Sequence, residues 1–145
     1  NDQDIFNALS KVVAGAGFTG NTTGFAQDES GLLAYYAVAF QRPTPQIIYF
    51  AVTIVSSVSL PANSTALTQA AIIESFNGLD GKSRAKIGSD LVGSRFIGNI
   101  NTKLPTAEIL SVYIGLSASP TGLRLLVPIN AIPVTDTAYI AVNYV

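Results

Sequence analysis

The residues best placed to do chemistry fall in one short run, Gly78-Leu79-Asp80-Gly81-Lys82-Ser83, followed by Arg84 and Lys86. Glycines beside a lysine and a serine suggest a phosphate cradle, in which backbone N–H groups and an ammonium hold the anion. The two glycines stand too close together for that motif, and the run follows a helical pattern where a phosphate loop follows a strand. Asn77, Asp80 and Glu74 lack the alternating order and terminal glutamate of a calcium loop. Glu74, Asp90 and Glu108 are acids from which a glycosidase pair would be drawn, yet the chain has no tryptophan to supply a sugar platform. The run is therefore read as a connector whose glycines supply positive φ. Its cations Lys82, Arg84 and Lys86, with Arg95 downstream, are read as candidate interface residues that fix orientation.

What the chain lacks narrows the chemistry further. It has no histidine and no cysteine. That removes the commonest general base, the commonest metal ligand, thiolate nucleophiles and disulfides together. Basic and acidic residues number 8 and 9, for a net charge of −1, so no nucleic-acid footprint is expected. Charged residues are 12% of the chain, about half the usual fraction of about 25%. The composition points away from an enzyme and predicts no cofactor, no metal and no small-molecule substrate.

Apolar residues make up 48% of the 145 residues, and the mean hydropathy is +0.40. The longest greasy stretch, residues 47–55, falls far short of the about 20 residues a spanning helix needs, so no membrane insertion is expected. No basic segment followed by an apolar one opens the chain. The absence of methionine suggests a processed chain or a piece of something longer. An apolar chain with so little charge suggests surface covered by partners.

The elements that must position these residues follow from hydrophobic period. Helices are expected over 3–13, 64–77 and 89–104. The first carries Ile5, Phe6 and Leu9 at helical spacing and is stopped by the glycines of 14–17. The second is capped by Asn63 or Ser64, buries Ala66, Ala70, Ile73 and Phe76, and ends at Asn77-Gly78. The third is capped by Ser89 or Asp90 and carries Val92, Phe96, Ile100 and Leu104 in one i, i+4 row. Strands are expected over 22–27, 32–41, 46–58, 108–116, 123–130 and 138–145. Residues 46–58 are apolar on both faces and read as the central strand. In 108–116, Leu110, Val112, Ile114 and Leu116 share a face. The order gives an α+β fold: a mixed or antiparallel sheet with two or three helices packed on it, around a strand–helix–helix–strand unit. It is read as one domain over 1–145, in which residues 1–45 could form a small N-terminal lobe.

The central run carries a resemblance. It reads I-Y-F-A-V-T-I from Ile48, then L-P-A-N, then A-A-I-I-E-S-F-N-G-L-D-G, then K-S-R-A-K-I-G-S-D-L-V-G-S-R-F-I-G-N-I, and ends in I-L-S-V-Y-I-G. This resembles the C-terminal part of baseplate J-like proteins of contractile phage tails. The upstream F-T-G-N-T-T and R-P-T-P are also similar. The likeness covers residues 1–120, and its specific part is the R-A-K-I-G-S…S-R-F run from Arg84 to Phe96. It implies a non-enzymatic wedge component of the baseplate, located in the virion, whose partners are other tail proteins and copies of itself. Proteins of that family are usually longer, so the chain would be a fragment or a short relative. Two other classes compete: a secreted or cell-surface adhesion module, and an enzyme built on carboxylates with lysine or tyrosine.

Overall fold

The computed structural model describes residues 1–12, 18–27 and 35–145. They divide into two compact units, Asn1–Pro43 and Thr44–Val145. The expected helix stop at residues 14–17 and the expected start of the second strand at 32–34 lie outside the described residues.

The first unit holds helix α1 (Asp2–Val12) and strands β1 (Thr22–Gln27) and β2 (Tyr35–Phe40). Asn1 Oδ1 accepts the Asp4 N–H at 3.0 Å, which caps an orphan donor of the first turn. The two strands pair antiparallel, from Thr22 opposite Phe40 to Gln27 opposite Tyr35. Phe6, Ala26 and Val38 form its buried core. Phe6 lies over Gly24, where a Cβ would come within 2.2 Å of its ring. Only glycine leaves room for that approach.

The second unit is built on strand β4 (Tyr49–Ile54). It stands in the middle of a mixed three-stranded sheet of order β6 (Ile109–Gly115), β4, β9 (Ile140–Tyr144). β6 runs antiparallel to β4 and β9 parallel to it. Helices α2 (Ser64–Asn77) and α3 (Ser94–Lys103) connect β4 to β6. This is the expected α+β arrangement with its strand–helix–helix–strand unit. Phe50, Val52 and Ile54 alternate onto the buried face of β4. They pack with Ile72, Phe76, Phe96, Ile100, Val112 and Ile114. Phe50 meets Phe96 edge-on at 4.9 Å and Phe76 at 6.2 Å, so one ring joins the sheet to both helices.

Local detail departs from the sequence expectation at several places. The run expected as one strand over 46–58 is divided. β3 (Thr44–Ile47) leaves the main sheet and pairs parallel with β8 (Ala131–Val134). Pro45 and Pro133 lie in these strands, which suits a two-stranded pair in which each strand has a free edge; the strand across Pro133 was not anticipated. The buried stripe of α2 is rotated: Ser64, Thr68, Ala71, Ile72, Ser75 and Phe76 face inward while Ala66 is exposed. The side chain of Asn63 makes no cap bond, and the Ser64 hydroxyl instead meets the Tyr144 phenol at 2.7 Å.

The third helix is shorter than 89–104. Asp90–Val92 form strand β5, antiparallel to β7 (Arg124–Leu126). Ser89 and Asp90 are therefore not helix caps, and Val92 drops out of the buried row with 37% exposure. The cause lies at Gly93, where a Cβ would stand 2.0 Å from Val112 O. The chain presses onto β6 there, and helical geometry begins at Gly93 itself, with φ −56° and ψ −40°. In β6 the register slips between Thr53 and Ile54, which pair with Ser111 and Ile109. Leu110 is the extra residue of this bulge and turns outward. The one-face pattern thus holds for Val112 and Ile114 but fails for Leu110 and Leu116, which are both exposed. Finally, residues 137–139 form a single 3-10 turn, so the last strand starts at Ile140.

Phe96 is fully buried. Phe96→Ala is expected to destabilise the second unit by about 3–5 kcal/mol, through lost transfer energy and the cavity left behind. Urea unfolding followed by circular dichroism measures it, and a loss under about 1 kcal/mol contradicts the packing described.

Candidate functional site

The connector of residues 78–88 leaves α2 through a left-handed glycine. Gly78 has φ 74°, and its own N–H and that of Leu79 reach back to Ser75 O and Glu74 O. Gly81 and Gly88 also have positive φ, as a connector reading of these glycines requires. Between them the chain is pinned at several points. Asp80 Oδ1 accepts the Lys82 N–H at 3.1 Å. The Ala85 N–H donates to Phe76 O at 2.7 Å, and Ala85 itself is buried. Ser89 Oγ accepts the Lys86 N–H at 2.9 Å and donates to Lys86 O. The connector leads into β5, not directly into a second helix as the sequence suggested.

The four cations do not share one role. Lys82, Arg84 and Lys86 are exposed. Arg84 and Lys86 form no ion pair among the described residues. Arg95 is half-buried and works within the unit. Its guanidinium donates to Ser75 O at 2.8 Å and to Ser83 O. It therefore ties the end of α2 and the middle of the connector to the first turn of α3. Lys82, Arg84 and Lys86 remain the outward-facing part of the set.

Asp80 sits beside this clamp. Burial raises its pKa, but the Ser75 hydroxyl, the Lys82 N–H and the Lys82 and Arg95 charges outweigh that, and the carboxyl lies below its ordinary value. Ser75 Oγ, Asp80 Oδ2 and Arg95 Nε are nonetheless buried without a hydrogen-bond partner of normal geometry.

Of the other candidate acids, Glu74 and Asp90 are spent on structure, while Glu108 is exposed. Glu74 pairs with Lys103 at 2.8 Å, and the Asn99 amide, which donates to Ala71 O at 2.8 Å, lies 3.4 Å from it. The Lys103 contact holds the Glu74 carboxyl low against the opposing effect of burial. Asp90 pairs with Arg124 across β5 and β7, and this partner lowers its carboxyl as well. Among the described residues, no three acids converge to hold a metal ion. A cleft of about 270 Å³ in the first unit is lined by Phe18, Thr23, Gly24, Phe25, Ala37, Val38 and Ala39, with no titratable group.

Two features were missed from the sequence. The β5–β7 ribbon shows Asp90, Val92, Arg124 and Leu126 on its outer face, the ion pair of Asp90 and Arg124 beside Val92 and a Leu126 that is 67% exposed. Leu123 and Ile129 are exposed beside it. The alternation of Asp90, Leu91 and Val92 was a signal, overridden by the helical row through Val92. The second feature is the outer edge of β9, taken up below. No protein-family model and no curated protein matches this chain.

Two outcomes follow. Glu74, Asp80, Asp90 and Asp136 all have carboxyls lowered by folding, so the folded state binds fewer protons than the unfolded chain. Stability is then fully present above the ordinary carboxylate range and falls as pH drops below about 4. Asp80→Asn should flatten that fall, measured by urea midpoints between pH 2 and 7 (values chosen to span about the ordinary carboxylate range). A midpoint profile identical to that of the unsubstituted chain contradicts the clamp. Calorimetry with ATP, GTP, magnesium and calcium should show only heat of dilution, because the N–H groups of Gly78, Leu79, Lys82, Ala85 and Lys86 and the Oδ1 of Asp80 are already engaged within the fold. Micromolar affinity for any of the four contradicts the connector reading.

Proposed function

We propose that this protein is a structural subunit of a contractile phage-tail baseplate, a wedge component that works by assembly and without catalysis. The observation that carries the reading is the R-A-K-I-G-S…S-R-F run, Arg84 to Phe96, and its resemblance to baseplate J-like proteins. The jobs these residues do in the fold support it. Ala85 fastens the connector to α2, Ser89 closes a turn, Arg95 clamps two carbonyls and Phe96 fills the core. A motif made of packing and backbone bonds suits a part that must hold its shape.

The surface supports the same reading. Charge is low, and Val92, Leu123, Leu126 and Ile129 stand exposed on or beside the β5–β7 ribbon. Permanent interfaces are more apolar than transient ones, and few charges keep the cost of desolvation small. Lys82, Arg84 and Lys86 are the groups we assign to orienting neighbours. The partners in this reading are other baseplate proteins and further copies of the chain, in the virion.

Cross-linking and imaging of the native particle test this. The chain is expected in the baseplate, linked to tail proteins through residues near 82–92 and 123–129. A chain recovered only as free monomer from the lysate, with no link to a tail protein, overturns the proposal.

A further inference from the structure

We infer that the outer edge of β9 is a pairing surface for a second copy of this chain, joined antiparallel about a two-fold axis at Asn143. The argument begins with the ladder. The Val145 N–H donates to Ile54 O at 3.1 Å, and the Ser56 N–H donates to Val145 O at 2.7 Å. In a parallel ladder such residues alternate, so Ala141, Asn143 and Val145 face β4, while Ile140, Val142 and Tyr144 direct their N–H and C=O away from it. No strand lies on that side of β9 among the described residues.

The three outward residues are not equivalent. The Ile140 N–H is taken by Thr137 O, and its carbonyl accepts from the Gln69 amide at 3.1 Å. Val142 and Tyr144 have no such partners among the described residues. The open edge is therefore two residues long, with one N–H and one C=O on each. In an antiparallel pair centred on Asn143, Val142 of one copy stands opposite Tyr144 of the other, and the reverse. Each such pair exchanges two hydrogen bonds. This register uses all of the open groups on both copies and leaves the Gln69 cap on Ile140 in place.

The side chains fit the same register. Asn143 meets its own copy across the axis, where each amide can both donate and accept. Ala141 meets Val145, an apolar pair. Residues 140–145 include no charged side chain, no proline and no bulge, three of the devices by which an exposed edge avoids pairing. The neighbouring flank of α2 is equally bland. Thr65 touches the Tyr144 phenol at 2.9 Å and Gln69 caps Ile140, and the single charge of α2, Glu74, is paired with Lys103. The product is a continuous six-stranded sheet with both sets of helices on one face.

This pairing deepens the assembly reading and rests on it only for the presence of many copies; its chemistry is tested on the isolated chain. The protein has no cysteine, so single cysteines report cleanly. Asn143 is exposed, and a pair at its position in this register has Cα atoms about 4.5 Å apart, within disulfide reach. Two Ala141 residues would stand about 13 Å apart along the strands, out of reach. Under mild oxidation Asn143→Cys should form a covalent dimer at least about tenfold faster than Ala141→Cys, and the unsubstituted chain should show concentration-dependent association by sedimentation. Asn143→Lys, which sets like charges face to face, should weaken that association about tenfold. Equal cross-linking of the two cysteine variants, no cross-linking of either, or a sedimentation profile that stays monomeric at all concentrations overturns the inference. Such a failure leaves attachment to a particle to be judged by the native cross-links alone.

Discussion

The second unit depends on the contact of Phe50 with Phe96 and Phe76. Phe50 stands on the central strand, and the other two rings come from the two helices that cross the sheet. Edge-to-face packing places a ring edge against a neighbouring face, which fixes direction as well as distance. Because the rings belong to three elements, the contact sets where α2 and α3 lie over β4. Ile72 and Ile100 then close over Val52 and Ile54 in the same layer.

From that layer outward, backbone constraints take over. α3 can approach β6 only because Gly93 has no side chain to strike Val112 O. That approach leaves residues 90–92 extended and gives β7 a partner. α2 must stop at Gly78, where a Cβ would come within 2.7 Å of Lys82 O and a left-handed turn is required. Arg95 then bonds Ser75 O near the end of α2 and Ser83 O in the middle of the connector. The connector is held by its backbone groups more than by its charges, and Lys82, Arg84 and Lys86 are exposed.

The reading of the protein as an assembling part joins these features. Among the described residues, Glu74 and Asp90 pair within the fold and Glu108 is exposed. The cations that are not used internally lie on one connector. Val92 and Leu126 stand exposed on the β5–β7 ribbon with Leu123 and Ile129 beside it, and β9 has an outer edge with no strand on it among the described residues. In the assembly proposed above, neighbours would meet Val92 and Leu126, the β9 edge and the connector's cations.

The sequence by itself determined the fold class, the extent of α2 from Ser64 to Asn77 and the strand at Thr22–Gln27, because period and punctuation are local properties of the chain. It also determined that the connector glycines take positive φ and that Phe96 is buried. It could not place Asp90–Val92, since Val92 fits a helical row as well as a strand, and only the approach of Gly93 to Val112 decides between them. It could not show the bulge at Leu110, because an inserted residue leaves the apolar pattern unbroken while reversing which side chain faces in. It named Arg95 with the outward cations, since the role of a guanidinium depends on which carbonyls the fold brings within reach. The free edge of β9 was equally invisible: which N–H groups a strand leaves open depends on the strand beside it, and tertiary structure alone supplies that neighbour.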